Sequence, residues 1–345
     1  MDTGQRNSIT DVIGVSVGSI TLIRGEGKLK PGQGPVRTGV TVILPHDKNV
    51  YEEKLRGGVH VQNGAGELTG ALQVMEWGIL ETPIALTNTL NVGLVHDAII
   101  EHMLQENPKI GDQAEVVLPV VGECDDSYLN DIRGRHVKLQ HVLEAFRSAS
   151  KTVAEGSVGS GTGMSALGFK AGIGTASRRI SGHKWEYVLG ALVMANFSGA
   201  LCVDGVPVGR LLSKGEQDRS SGRSIITVIA TDAPLSSSEL RRVAARVPLA
   251  LGRAGSISAN SSGDISIAFS TAERIGLQLA PISAVKESVG AGTLDTLFGA
   301  AVEATEEAIL NSIFASETMK GRDDNISFGL PIDETLEIMK KFGRM

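Results

Sequence analysis

Ser262 stands in the run Asn260-Ser261-Ser262-Gly263-Asp264, a small polar turn. The residues that follow, Ile265-Ser266-Ile267-Ala268-Phe269, alternate apolar with small, the period of a half-buried strand. A serine at the mouth of a strand becomes a good nucleophile only when a base takes its proton. Cutting the chain between Ser261 and Ser262 would supply one. The new α-amine, with an unperturbed pKa of roughly 8, could then serve its own hydroxyl. Ser256, Ser258 and Ser261 are weaker candidates, because each breaks register with the strand. Taken alone, the run reads more simply as a loop-to-strand junction.

Other chemistries find less support. Gly159-Ser160-Gly161-Thr162-Gly163 is the densest glycine run, but it has no Gly-Lys-Ser/Thr and does not complete GxGxxG. It fits a close-packed turn or a backbone-lined pocket wall better than a phosphate cradle. Ser148-x-x-Lys151 and Ser283-x-x-Lys286 match the serine β-lactamase triplet without its companion motifs. No GxSxG elbow and no HExxH occur. His136 and His141 do not align on a helix and are expected at the surface, so no metal site is expected, and a serine nucleophile served by its own amine needs no metal or organic cofactor. Cys124 and Cys202 form no CxxC pair and suit a reducing compartment.

The elements that must position such a site are legible in outline. Strands are expected at 12–18, 39–44, 58–62, 187–197 and 224–231, and at 114–121, where Pro119 demands an edge or a bulge. Helical spacing marks about 92–105 and the stretch from Leu139 to Phe146. Ser236-x-x-Glu239 is a capping-box pattern whose helix continues through Leu240, Val243 and Val247, with Arg241, Arg242 and Arg246 as a solvated face. Residues 210–223 and 272–296 read as loops. The last clear helix, about 297–314, is apolar nearly all round and should be buried. It carries Thr305, Glu306 and Glu307. A buried carboxylate needs a partner, so at least one of these should meet a polar site unless they form an exposed stripe.

The 345 residues can bury a large core, and 42 glycines against 4% aromatics suggest many tight turns in an α/β or α+β protein. Strands and helices intermingle throughout, which favours one layered domain over 1–345. A net charge of −6 without a Lys/Arg block argues against nucleic acid as a partner. No apolar run approaches the ~18 residues of a membrane span. The first residues lack the features of a signal peptide, so the cytoplasm is the expected compartment.

Many short segments, in order from about residue 7 to 320, resemble the DmpA-type family of L-aminopeptidase/D-esterases and β-peptidyl aminopeptidases. They include Asn7-Ser8-Ile9-Thr10-Asp11, Pro83-Ile84-Ala85-Leu86-Thr87-Asn88-Thr89, Gly161-Thr162-Gly163-Met164 and Ala195-Asn196-Phe197. Ser262-Gly263-Asp264, Ala268-Phe269-Ser270-Thr271 and Ala304-Thr305-Glu306-Glu307-Ala308 complete the pattern. The resemblance implies a four-layer αββα sandwich like that of N-terminal-nucleophile hydrolases. It also implies self-cleavage into a 1–261 α chain and a 262–345 β chain, and a homo-oligomer, a tetramer in relatives. Ser261 stands where relatives commonly have Gly or Asn; Cys124 and Leu167 stand where some have Thr and Tyr.

By the same matching, Ser262 is the nucleophile and Asn196 the oxyanion donor. Thr305 and Glu307 are a polar pair that orients the nucleophile, with Glu306 an alternative because residues two apart on a helix diverge. Glu123 is the acid that receives the substrate's α- or β-ammonium group. The implied activity is a serine aminopeptidase or amidase acting on small peptides or on aminoacyl amides and esters. An acyltransferase or biosynthetic processing enzyme on the same scaffold, and an unprocessed binding paralogue, are the alternatives.

Overall fold

A computed structural model describes residues 1–182, 185–212, 224–276 and 289–344. In chain order, the first half supplies strands β1 (Ser16–Arg24), β2 (Val36–Leu44), β3 (Lys54–Gly64), β4 (Ile79–Leu80), β5 (Ile84–Asn88) and β6 (Val120–Cys124). Its helices are α1 (Ala71–Trp77), α2 (Val92–Glu106) and α3 (Leu139–Arg147). The second half supplies β7 (Ser165–Ala166), β8 (Phe169–Lys170), β9 (Ile173–Ser181), β10 (Glu186–Asn196), β11 (Ser224–Thr231) and β12 (Gly263–Ile275). Helices α4 (Val208–Leu212), α5 (Ser237–Ala244), α6 (Val247–Ala254) and α7 (Ala291–Phe314) accompany them.

These elements stack in the expected four layers. One sheet has the order β1-β2-β5-β6, the other β4-β3-β12-β11-β10-β9. Strand alternation sorts the apolar residues into separate cores. In β12, Ile265, Ile267 and Phe269 enter the core between the sheets, with Ile43, Ile84 and Leu192. Ala268 faces the other way, into the core beneath α5, α6 and α7, with Leu240, Leu251 and Ile309. A third core joins α2 and α3 to the smaller sheet through Val40, Ala85, Ile99 and Phe146. Fully burying one such aliphatic or aromatic side chain contributes roughly 1.5–3 kcal/mol.

The structure corrects several expectations. Regular pairing in the 114–121 segment begins only at Val120, immediately after Pro119, which has no N–H to give a ladder. The capping box forms, with Ser236 Oγ accepting from the Glu239 N–H and the Glu239 carboxylate accepting from the Ser236 N–H. Its helix nevertheless ends at Ala244, and α6 starts separately with a proline in its first turn. Arg242 and Arg246 are not simply solvated: both guanidinium groups lie over the Phe298 ring, at 5.1 and 3.9 Å from its centroid. His136 is buried, not at the surface, and its Nε2 lies 3.0 Å from Asp131 Oδ2. The two expected loops hold α4, the end of β12 and the start of α7. Their remaining parts, 213–223 and 277–288, lie outside the described residues. Among the described residues, no helix is long and apolar enough to cross a membrane.

Candidate active site

Sheet register lines up one edge of the larger sheet. Asn196, the last residue of β10, pairs with Ser224, the first of β11, and Ser224 pairs with Gly263, the first of β12. On the other side Gly263 pairs with Gly64 at the end of β3. Ser262 and Asn196 are therefore at the same end of the sheet, two strands apart. The polar turn before β12 and the strand end after Ala195 meet there because β11 runs parallel to β12 but antiparallel to β10.

Ser262 is buried, and its hydroxyl donates to Asp264 Oδ1 at 2.5 Å. Residues two apart on a strand share a face, so this pairing follows from the extended backbone of β12. Asp264 Oδ2 is buried and has no hydrogen-bond partner among the described residues. Before the serine the chain is folded back on itself. The Ser262 N–H donates to the Ala259 carbonyl at 2.8 Å. The Asn63 side-chain amide donates to the carbonyls of Ser258 and Ala259, at 3.1 and 2.9 Å. Ser258 is held at φ 50°, a left-handed conformation that is unfavourable for a residue with a Cβ.

Asn196 is fixed from both ends of its amide. Oδ1 accepts from the Ser165 N–H at 3.0 Å, and Nδ2 donates to the Asp125 carbonyl at 2.9 Å. An amide nitrogen carries two hydrogens. The second has no partner among the described residues and is free for a developing oxyanion. Ser165 is held in turn by the β7–β8 hairpin, where it pairs with Lys170. Lys170 is wholly buried, and its hydrogen-bond partners among the described residues are all carbonyls, those of Met164 at 2.6 Å, Ala171 at 2.5 Å and Gly161 at 3.5 Å. Burial without a counter-charge lowers its pKa to about 7.

Glu123 lies near the end of β6, buried, with Oε1 accepting from the Glu67 N–H at 2.9 Å and Oε2 accepting from the Thr89 hydroxyl. Burial raises its pKa above the ordinary carboxylate range, and the Thr89 and Glu67 hydrogen bonds oppose the rise. Gly66 brings it close to Gly263, the neighbour of Ser262. The point where a Cβ of Gly66 would stand is 3.1 Å from Glu123 Oε1 and 3.1 Å from Gly263 Cα. The Cys124 thiol, beside it, is pushed well up by burial and then by the Glu123 charge, as in a buried structural cysteine.

The structure brings Ser262, Asn196 and Glu123 to one end of the sandwich. Thr305 and Glu307 sit on α7, which lies over β9 and β10 and against α6 and α5. Glu307 is occupied: Oε2 is 2.6 Å from an Arg178 nitrogen, and Oε1 accepts from the Asn7 amide at 2.7 Å. Glu306 diverges, as the helix requires, and pairs with Arg253 at 2.8 Å. Thr305 is fully buried and its hydroxyl has no partner among the described residues. Sequence reasoning assigned nothing to Asp264, Asn63, Thr89 or Lys170. For Asp264 the signal was present in its spacing of two from Ser262; the others act through tertiary contacts that spacing does not show.

Among the described residues, no group of three or more His, Cys, Asp or Glu could hold a metal ion.

Comparison with known proteins fits this arrangement. The chain matches peptidase family S58 over residues 7–327. It is 41% identical over 360 residues to a β-peptidyl aminopeptidase of Sphingosinicella microcystinivorans, covering 99% of this chain and 90% of that one. A solved structure from Pyrococcus horikoshii OT3 superposes with a TM-score of 0.95 at 49% identity, covering 100% of this chain and 96% of that one. An L-aminopeptidase D-Ala-esterase/amidase of Ochrobactrum anthropi, described as a prototype of the serine aminopeptidases with a variant of the Ntn hydrolase fold, gives a TM-score of 0.92 at 38% identity. That match covers 99% of this chain and 96% of the other. With the αββα layers, the family match and relatives aligned over nearly their whole length, the chain belongs to peptidase family S58 and is an aminopeptidase of the N-terminal-nucleophile fold.

Proposed function

We propose that this aminopeptidase processes itself before Ser262 and then uses Ser262 as an N-terminal nucleophile. The observation that carries the proposal is the buried Ser262 hydroxyl at the sheet end shared with Asn196, beside Glu123 across Gly66. In the processed enzyme the α-amine of Ser262 takes the hydroxyl proton, and the alkoxide attacks an amide or ester carbonyl. The free N–H of Asn196 faces the oxyanion; a preorganised donor of this kind contributes roughly 3–4 kcal/mol to the barrier. The amine of an amide, or the alcohol of an ester, leaves with the proton, and water hydrolyses the acyl-enzyme.

Glu123 selects the substrate. Its carboxylate is desolvated and held by one hydroxyl and one N–H, with no basic side chain among its hydrogen-bond partners. A substrate ammonium would supply the missing counter-charge, which favours small peptides, amino acid amides and esters with a free amino terminus. The names of the relatives favour β-amino acyl and L- or D-amino acyl groups within that class. Thr305 and Glu307 enter as positioning residues: Glu307, through Arg178 and Asn7, seats α7 on β9, the neighbour of the strand that ends in Asn196, and Thr305 is buried on the same helix. We also propose a cytoplasmic homo-oligomer, a tetramer. The apolar Leu72, Met75 and Trp77, exposed on α1, favour such contacts.

The test is the intact mass of the purified protein under denaturing conditions beside Ser262→Ala. The expected outcome is two fragments, 1–261 and 262–345, from the native sequence, a single chain from the variant, and turnover of an amino acid amide only by the former. A native chain that stays whole, or that is cut elsewhere, overturns the proposal.

A further inference from the structure

Self-cleavage before Ser262 poses a chemical problem that the processed enzyme does not have. The α-amine that would activate the hydroxyl is still locked in the Ser261–Ser262 peptide bond, where its nitrogen has no basic lone pair. A different base must start the reaction. We propose that Asp264 is the general base of self-cleavage, a role that rests on the reading of Ser262 as nucleophile.

The geometry singles Asp264 out. Its Oδ1 is 2.5 Å from Ser262 Oγ, and its Oδ2 accepts no hydrogen bond among the described residues. Among the described residues, the serine hydroxyl is the one hydrogen-bond partner of the carboxylate. The other acids considered for this site are committed: Glu123 to Thr89 and Glu67, Glu306 to Arg253, and Glu307 to Arg178 and Asn7. Lys170 points at the Met164 and Ala171 carbonyls. A candidate base has to be within hydrogen-bond reach of the proton it abstracts, and Asp264 alone is seen there.

The preceding turn is arranged for the same step. Asn63 grips the carbonyls of Ser258 and Ala259, the Ser262 N–H closes onto Ala259, and Ser258 is held in a left-handed conformation. A left-handed conformation at a residue with a Cβ is strained, and cutting the chain nearby would free the turn to relax. In the proposed step the Ser262 hydroxyl proton moves to Asp264, and Oγ bonds to the Ser261 carbonyl carbon. The tetrahedral adduct then expels the Ser262 nitrogen, which takes the proton from Asp264 and becomes the α-amine. Water hydrolyses the resulting Ser261 ester, releasing the Ser261 carboxylate and restoring the hydroxyl. Asp264 thus makes the base that succeeds it.

The experiment follows conversion of newly translated full-length chain into its two fragments by intact mass. It compares the native sequence, Asp264→Asn, Asp264→Ala, and Asp264→Ala with added sodium formate. Asp264→Asn keeps the size and a hydrogen-bond acceptor but cannot take the proton; conversion slows by about 10²–10⁴-fold. In Asp264→Ala, formate enters the vacated space and restores cleavage before Ser262 in a dose-dependent way, and it does nothing in the Ser262→Ala/Asp264→Ala double variant. Conversion of Asp264→Asn within threefold of the native rate overturns the inference while leaving Ser262 as nucleophile. So does slow conversion of both variants with no formate response, which would mark Asp264 as structural. Absence of any cut before Ser262 in the native chain overturns the self-processing reading itself. Formate rescue separates a lost base from a lost fold, because an unfolded chain does not respond to it.

Discussion

Two clusters of charge occupy opposite ends of β10, and they are built on opposite rules. Around Arg178, which is level with Leu189, the α7 carboxylates Glu303 and Glu307 have counter-charges. Arg178 meets Glu303 at 3.0 Å and Glu307 at 2.6 Å, and the terminal ammonium of Met1 meets Glu303 at 2.8 Å. Around Asn196, roughly 20 Å further along the strand, charges are buried without compensation. Lys170 donates to carbonyls, Asp264 faces a hydroxyl, and Glu123 is held by a hydroxyl and an N–H. Asp126, whose neighbour Asp125 accepts from Asn196, is wholly buried with its pKa raised to about 7 by that burial. Paired charges hold a fold together. Unpaired buried ones cost stability and persist where a substrate or a reaction completes them. The difference marks one end as scaffold and the other as site.

Four substitutions sharpen or break that contrast. At the Asn196 end, Asn196→Ala should lower kcat by about 10²–10³-fold with KM little changed, measured on processed enzyme. A comparable loss carried by KM alone would show that the amide binds ground-state substrate instead. Glu123→Gln comes next. Losing a charge-assisted contact should raise KM for an amide with a free amino group by about 10–100-fold. The discrimination against its N-acetylated analogue should fall by the same factor, and unchanged discrimination would remove Glu123 from ammonium recognition.

Lys170 makes the contrast visible in stability. Its folded pKa of about 7 lies below the ordinary lysine value, so across the window from about 7 to 10.4 the unfolded chain holds a proton that the folded chain has shed. Stability contributed by this group therefore rises with pH through that window, by up to about 1.4 kcal/mol per unit. Denaturant titrations at several pH values should show that slope in the native protein and a flatter one in Lys170→Met. Parallel slopes would mean that the lysine finds compensation after all. The smallest effect belongs to the scaffold end, where Glu307→Gln should cost about 1 kcal/mol in stability and leave kcat within about threefold. A large loss of kcat at unchanged stability would move Glu307 from scaffold to chemistry and collapse the comparison.

Much of this was legible from the chain. Continuous apolar runs located β10 and β11 almost to the residue, because strands buried on both faces carry an unbroken apolar signal. The helix at Ser236 was visible through its capping box but not its end at Ala244, since the apolar spacing continues unbroken into the next helix. The resemblance carried the αββα layering and the family, both of which the comparisons show. Within the site, Ser262 and Asn196 could be named, but their common sheet end depends on β11 pairing parallel to β12, a long-range choice with no local signature. The partners of Glu307 were illegible for the same reason: Asn7 is three hundred residues away in sequence. The charge of Glu123 could be read from sequence, whereas the glycine that brings it within reach of Gly263 could not.

The position of β12 carries one further consequence. The proposed cut does not free an end at the periphery, because β12 lies between β3 and β11 in the middle of the larger sheet. Both pieces would stay locked in one hydrogen-bonded ladder, with β12 still paired to β3 and β11. The folding problem of the finished molecule is different. Joining β12 to its neighbours is a ring closure within one chain before the cut and an encounter between two chains after it. The precursor should refold at a rate independent of concentration, whereas the processed pair, once melted, should reassemble only as a second-order process in competition with aggregation. The chain would have one opportunity to find its fold alone, and it would spend that opportunity in becoming active.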